Sequence, residues 1–270
     1  MGMRINTNVS GLSALRQTNN TTTALLKGYQ RLASGLRINR AADDAAGLAI
    51  AERFRADVRQ YNAEATNLQY GVNMAQTAEG GLDSQTQAVQ RIRELSVQAA
   101  NGTLTDEQRS ALNEEVQQLL EEIDDTAANT EFNGQTVLDG SINDLPMGTE
   151  GGRVRVNINE STASSLNLTG VDISTQAGAA DAIDRADAAL NDIGQNRAAL
   201  GAQQNRFERA IDQREIAAEN AAASESMIRD LDFARQSIEQ TGNNMLLQGG
   251  IAALAQSNIL NSNAANLLAG

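Results

Sequence analysis

The chain has no cysteine, no histidine, no tryptophan and a single proline in 270 residues. Without Cys there is no disulfide and no thiolate metal site, and without His the usual zinc and haem ligand is gone as well. The same two absences remove the side chain that changes charge near neutral pH and the strongest nucleophile. Carboxylate, Lys or Ser chemistry is all that is left, so the expectation is a non-enzyme with no metal and no cofactor. Basic residues are few, 21 Lys and Arg against 34 Asp and Glu, giving a net charge of -13. That balance opposes nucleic-acid binding, which relies on cations neutralising phosphates.

Long hydrophobic runs are also missing. Mean hydropathy is -0.38, and no stretch approaches the ~18 apolar residues of a membrane span, so no membrane insertion is expected. The N-terminus has no apolar segment of the signal-peptide kind, so no cleaved secretory signal is expected. It does not fit a myristoylation motif either, because Asn6 stands where Ser or Thr is needed. Lack of cysteine does not argue against export; it only removes disulfide evidence for it. With aromatics at 3%, the core must be built mainly from Ala, Leu, Ile and Val.

The single proline, Pro146, leaves long proline-free arms on either side. An interior proline costs a helix about 3 kcal/mol or more, so these arms permit long helices. Periodicity argues that helices form. Phe54, Tyr61, Leu68, Ala75, Leu82 and Val89 recur every seven residues, with Ala51, Val58, Ala65 and Val72 beside them. This is an apolar seam of the coiled-coil kind. Asp43 or Asp44 would cap its start and Asn101-Gly102 would end it. A helix from Asp44 to Ala100 would be about 85 Å long at 1.5 Å per residue.

A second helix is predicted from Thr105, with Gln108 completing a capping box. Leu112, Val116, Leu119, Leu120 and Ile123 form its apolar face, and Glu131-Phe132-Asn133-Gly134 reads as a turn. The period then changes to two, with Val154, Val156 and Ile158 alternating with Arg153, Arg155 and Asn157; Leu166, Leu168, Val171 and Ile173 are expected to continue it as a small hairpin region. Helical pattern returns near Ala179, where Ala186, Ile193, Leu200 and Phe207 step by seven. Leu231, Ile238, Met245, Ala252 and Ile259 form another such series, mirrored near the N-terminus by Ile5, Leu12, Asn19, Leu26 and Ala33.

The expected fold is therefore mainly α: a long antiparallel helical rod, or coiled-coil hairpin, with a small β-hairpin region in the middle of the chain. Its parts would be terminal helical arms (1–42 and 235–270), a helical rod (43–136 and 177–234) and a short β-hairpin and loop region (137–176). Asn, Thr, Ser and Gly interrupt the arms, lowering their intrinsic helicity. The arms also carry more Leu and Ile than two helices can hide from each other. Two readings stand: an ordinary bundle with frayed ends, or arms that fold fully only against other copies.

Candidate chemistry is sparse. Paired acids such as Asp43-Asp44, Glu114-Glu115, Glu121-Glu122 and Asp124-Asp125 point about 100° apart on a helix, which makes solvated faces rather than dyads. No glycine pair has phosphate-loop spacing and no calcium-loop pattern occurs. The locally basic run from Arg31 to Arg40 reads equally as a helix end closed by Gly35 and as an electrostatic contact with an acidic neighbour.

Several long stretches resemble bacterial flagellins in the family's order. They are Arg31 to Ile50 (RLASGLRINRAADDAAGLAI), Ala75 to Leu82 (AQTAEGGL), Gln90 to Asn101 (QRIRELSVQAAN), and the turn Glu131 to Gly134. Leu200 to Arg206 (LGAQQNR) and Ser224 to Ala234 (SESMIRDLDFA) follow on the C-terminal side. The resemblance implies a filament subunit that forms a helical homopolymer as part of the bacterial flagellum, extracellular and secreted without a cleaved signal peptide. Its arms would form the inner filament core and its longer helices and hairpin the outer tube. Residues 137–176 would stand in place of a variable outer domain, being too few for one of ordinary size.

Core contacts would then be made by Ile5, Leu12, Leu15, Leu26, Leu32, Leu246, Leu247, Ile251, Leu254 and Ile259. Implied partners are hook-associated junction and filament cap proteins, an export chaperone and the flagellar type III export apparatus. The family is also a ligand of a vertebrate innate-immune receptor. The gripped motif resembles Gln90 to Val97, so Arg91 and Leu95 carry over, and Glu115 joins them from the next helix. Packing is the plain structural reading of Leu95, and an ion pair that of Arg91. A hook–filament junction protein or a secretion-needle-type assembly subunit is the alternative within filament biology.

Overall fold

The computed structural model describes residues 7–147 and 154–269. Five helices carry the chain: α1 (Val9–Ser34), α2 (Ala45–Ala99), α3 (Asp106–Asn129), α4 (Gln176–Arg229) and α5 (Phe233–Ala269). Between α3 and α4 lie four two-residue strands, β1 (Glu131–Phe132), β2 (Gln135–Thr136), β3 (Leu145–Pro146) and β4 (Arg155–Val156). The mainly helical fold with a small β region in mid-chain is what the periodicity predicts.

Local chemistry sets the helix ends. Asn8 caps α1 by accepting the Gly11 N–H at 2.8 Å. Gly35 closes the same helix at φ 70°, a left-handed conformation that costs a side-chain-bearing residue about 1 kcal/mol or more. Of the two candidate caps for α2, Asp44 serves by accepting the Gly47 N–H at 2.9 Å. Asp43 instead accepts the Arg40 and Asn39 N–H groups at 3.1 and 3.3 Å. Thr105 and Gln108 form the expected reciprocal capping box. Asn133 and Gly134, both at positive φ, make a two-residue turn whose twist suits the β1–β2 hairpin.

The chain divides into two compact units. The first comprises residues 1–58 and 219–270, the second residues 59–218. In the second, the seven-residue series is the core: Leu68, Ala75, Leu82 and Val89 of α2 are buried, as are Ala186, Ile193, Leu200 and Phe207 of α4. Val116, Leu120 and Ile123 of α3 close the same core. Ala179, Ala182, Ala186 and Ala189 are at most 1% exposed. Such small side chains let helix backbones approach closely where aromatic volume is lacking.

The middle of the chain differs from the expectation in one respect. Alternation at 154–158 yields only the two residues of β4, paired antiparallel with β3 as Leu145 to Val156 and Pro146 to Arg155. Arg153 lies outside the described residues. Leu166, Leu168, Val171 and Ile173 are not hairpin strands but turns and loop, although all four are buried. The reason is that helix side chains satisfy this backbone in place of a ladder. Gln117 Nε2 donates to the Val171 carbonyl at 2.9 Å, Asn113 Oδ1 accepts the Ile173 N–H at 3.0 Å, and Asp124 Oδ1 accepts the Ala163 N–H at 2.8 Å. Gln85, fully buried, donates to the carbonyls of Ile123 and Ser161 and accepts from the Ser161 hydroxyl.

Candidate assembly surface and its relatives

In the first unit α1 packs along α5, and the seam between them mixes small and polar residues with four leucines. On α1 the buried or half-buried positions are Gly11, Ala14, Thr18, Thr21, Leu25, Gly28 and Leu32, spaced alternately by three and four. On α5 they are Gln236, Gln240, Asn243, Leu247, Gly250, Leu254 and Ser257. Glycine lets the helices come close: a Cβ on Gly28 would strike the end of the Gln240 side chain, and one on Gly250 would stand 2.7 Å from the Thr18 hydroxyl, so the side chain met would have to move in each case. At the far end Ser257 donates to Asn8 Oδ1 at 2.9 Å, and Asn8 Nδ2 donates to the Ser257 carbonyl at 3.3 Å.

The apolar stripes consequently face away from the seam. Leu12, Leu15, Leu26, Leu246, Ile251 and Ile259 are 46 to 61% exposed. Leu32, Leu247 and Leu254 are half-buried, and Ile5 lies outside the described residues. Val9, Tyr29, Ile238, Met245 and Leu260 are exposed as well. Sequence reasoning picked out the apolar rows but missed the seam itself, whose signal was the run of small residues at Gly11, Ala14, Thr18 and Thr21, spaced by three and four. Scattered exposed apolar side chains are ordinary, whereas rows of them along two paired helices mark an interaction surface.

The connection between α1 and α2 is tied back to the far end of α4. Arg37 donates its backbone N–H to the Arg229 carbonyl at 2.7 Å and its guanidinium to the Ile228 carbonyl at 2.6 Å. Leu231 N–H returns to the Gly35 carbonyl at 2.9 Å. The basic run is thus a helix end, and its cations also hold Asp43. Hydrogen bonding by the Arg40 N–H, outweighing desolvation, then the Asn39 N–H and the charges of Arg31 and Lys27, keep its carboxyl below the usual range.

On the second unit, Arg91 bridges α2 and α3. Its Nε and Nη2 lie 2.9 and 2.8 Å from Glu115 Oε1, and Nη1 lies 3.2 Å from Glu94. The hydrogen bond to Glu115, then that to Glu94, raises the guanidinium pKa further. Arg91 is exposed and Glu115 partly so, but Leu95 is only 1% exposed. The surface role implied for Leu95 therefore needs correction. Here α2 buries more than the expected series: Ala78, Gln85, Ile92 and Ala99 form a further seven-residue row, and Met74, Gly81, Ala88 and Leu95 another. A Cβ on Gly81 would meet Leu138 and Thr130, which shows that this row is covered by the segment following α3.

Charge is segregated between the units. Residues 1–58 and 219–270 hold ten basic and nine acidic residues, net +1; residues 59–218 hold eleven and twenty-five, net -14. Among the described residues no three His, Cys, Asp or Glu side chains gather as a metal site, and no helix is long and apolar enough to cross a membrane.

The profile of the bacterial flagellin N-terminal helical region matches residues 5–143, and that of the bacterial flagellin C-terminal helical region matches residues 183–268. Flagellin of Halalkalibacterium halodurans is 41% identical over 261 residues, spanning 95% of this chain and 96% of that protein. Flagellin FlaB1 of Treponema pallidum is 42% identical over 279 residues, with 95% and 96% covered. Among solved structures, Bacillus cereus flagellin aligns at 29% identity and a TM-score of 0.48, covering 55% of this chain and 88% of that one. Two terminal family regions in order, near-complete relatives and exposed apolar rows on paired terminal helices lead to one conclusion: the chain belongs to the bacterial flagellin family, as a structural subunit that polymerises with itself into the flagellar filament and not as an enzyme.

Proposed function

We propose that α1 and α5, with the rest of the terminal arms (1–42 and 235–270), form the inner core of the filament. The helices of 43–136 and 177–234 then form the outer tube, and 137–176 occupies the place of a variable outer domain. The observation that carries this reading is the outward apolar surface of the α1–α5 pair, built on Leu12, Leu15, Leu26, Leu246 and Ile251. Leu247 and Leu254 line its edge, and Leu32, Ile259 and Ile5 continue it along the arms. Covering a few hundred Å² per subunit at about 25 cal/mol per Å² stabilises the polymer by several kcal/mol, which offsets a like amount of the ordering entropy of the arms. Charge supports the same orientation: the neutral unit suits a packed centre, and the unit of net -14 suits the solvated outside. Contacts of head-to-tail type do not close, so they generate a helix rather than a ring.

The working location is the extracellular flagellum, reached without a cleaved signal peptide through the flagellar type III export apparatus. An export chaperone, hook-associated junction proteins and a filament cap are the partners this role requires. Recognition by the vertebrate innate-immune receptor is assigned to the exposed Arg91–Glu115 pair, with Leu95 supporting it from beneath. The test of the assembly reading is seeded polymerisation of purified monomer, read by sedimentation and electron microscopy, beside a chain lacking 1–33 and 235–270. Long filaments from the intact chain and none from the truncated one are expected. A monomer that stays soluble under all seeded conditions overturns the reading and favours a junction protein that needs a partner.

A further inference from the structure

The two strongest charge features of the molecule lie on different units and have opposite sign. From residue 5 to residue 42 the chain carries Arg16, Lys27, Arg31, Arg37 and Arg40 and not one carboxylate. These cations gather towards the C-terminal end of α1. Asn39 folds back there, donating to Ser34 Oγ at 2.8 Å, and Asp43, the first acid of the chain, is taken up by the Arg40 and Asn39 N–H groups. Lys27 and Arg40 are exposed and, among the described residues, neither has a carboxylate at ion-pair distance.

On the other unit, α3 carries eight carboxylates and one arginine in 24 residues. Its buried side, Val116, Leu120 and Ile123, is fixed in the core. Glu107, Glu114 and Glu121 fall seven residues apart and Asp125 one turn further, so they form one stripe about 27 Å long at 1.5 Å per residue. All four are exposed, and among the described residues none is in an ion pair; Glu115 and Asp106, by contrast, are matched by Arg91 and Arg109. Of these only Glu121 and Asp125 are close enough to repel directly, but the stripe as a whole presents one sign of charge that a surface of opposite sign would match.

We propose that the acidic stripe of α3 docks on the basic α1 end of a second copy of this chain, so that Glu114 and Glu121 of one subunit face Lys27 and Arg40 of the next. The inference rests on the filament reading and adds to it a named contact between the outer unit of one subunit and the inner unit of another. Electrostatic complementarity of this kind fixes register and rejects wrong pairings more than it adds affinity, and it weakens as salt is raised. The apolar rows then supply adhesion and the charged pair supplies the axial register.

The experiment is charge reversal in the full chain, with the critical concentration for seeded polymerisation measured at low salt. Wild type run alongside must form filaments; if it does not, the filament reading fails rather than the contact. Glu114→Lys with Glu121→Lys, and separately Lys27→Glu with Arg40→Glu, are each expected to raise the critical concentration tenfold or more while helicity by circular dichroism stays at the wild-type level. An equimolar mixture of the two variants is expected to co-polymerise near the wild-type concentration. In the mixture every contact is again of opposite sign, since each reversed stripe meets a reversed basic end. Rescue by the mixture excludes misfolding as the cause of the single-variant defect. Unchanged critical concentrations for both variants would overturn the proposal. So would rescue only when all four reversals sit in one chain, which would place the pairing within a subunit.

Discussion

Leu95 offers the sharpest discrimination between packing and surface recognition. It is 1% exposed, on a buried row of α2, whereas Arg91 four residues earlier is solvated with ion pairs to Glu115 and Glu94. Truncating a fully buried leucine removes transfer energy and leaves a cavity, so Leu95→Ala should cost about 3 kcal/mol. Arg91→Ala removes exposed ion pairs and should cost about 0–1 kcal/mol. With a urea dependence of about 2 kcal/mol per molar for a unit of this size, Leu95→Ala lowers the unfolding midpoint by about 1.5 M. Arg91→Ala moves it by less than about 0.5 M. The assay is urea unfolding of the full chain followed by far-ultraviolet circular dichroism, with receptor signalling measured on the same preparations. Arg91→Ala is expected to lose signalling while fully folded. Leu95→Met, which keeps the buried volume, is expected to retain both stability and signalling. A Leu95→Ala variant with a wild-type midpoint would refute the assignment of this side chain, and of its row on α2, to the core.

Three other perturbations test the joints of the molecule. Gly178→Ala would drive its Cβ into the carbonyl oxygen of Asp172, a backbone atom that cannot swing aside. It should therefore destabilise the start of α4 by about 1–3 kcal/mol in thermal unfolding, although alanine is the better helix former. Gln85→Leu strands the Ser161 carbonyl and hydroxyl in the core and removes the second bond to the Ile123 carbonyl, which keeps its helical one. A loss of about 3 kcal/mol and faster amide exchange around Ser161 are expected, and exchange at the wild-type rate would count against the node. The Asp172 carboxyl is held below its ordinary value of 3.8 by the Ser174 N–H and then the Ser174 hydroxyl. Its folded pKa is the lower one, so its stabilisation is complete above that ordinary value and is lost as pH falls through the depressed one. Asp172→Asn, which keeps the acceptor but does not titrate, should flatten this part of an acid titration monitored by nuclear magnetic resonance of the Ser174 amide.

The sequence by itself determined the helices and most of their ends. Seven-residue apolar spacing from Phe54 to Val89 and from Ala186 to Phe207 specifies one buried face, because successive heptads return to nearly the same side of a helix. Thr105 with Gln108, and Asn133 with Gly134, carry their own local hydrogen bonding or φ preference, so capping box and turn were legible without any distant partner. The tertiary structure alone decided which of two competing faces is used. Leu95 and Ala88 are buried beside the expected series because α2 is packed on more than one side, as the approach of Leu138 and Thr130 to Gly81 shows. Leu166 to Ile173 look like strand positions, but side chains of α3 reach their backbone first and leave them as buried loop. On the terminal pair hydrophobicity alone does not make the choice: Gly, Thr and Gln share the seam with Leu25, Leu32, Leu247 and Leu254, while Leu12, Leu15, Leu26, Leu246 and Ile251 stay outside it. Backbones approach closely along small residues, and the apolar surface left outside is the one a polymer can cover.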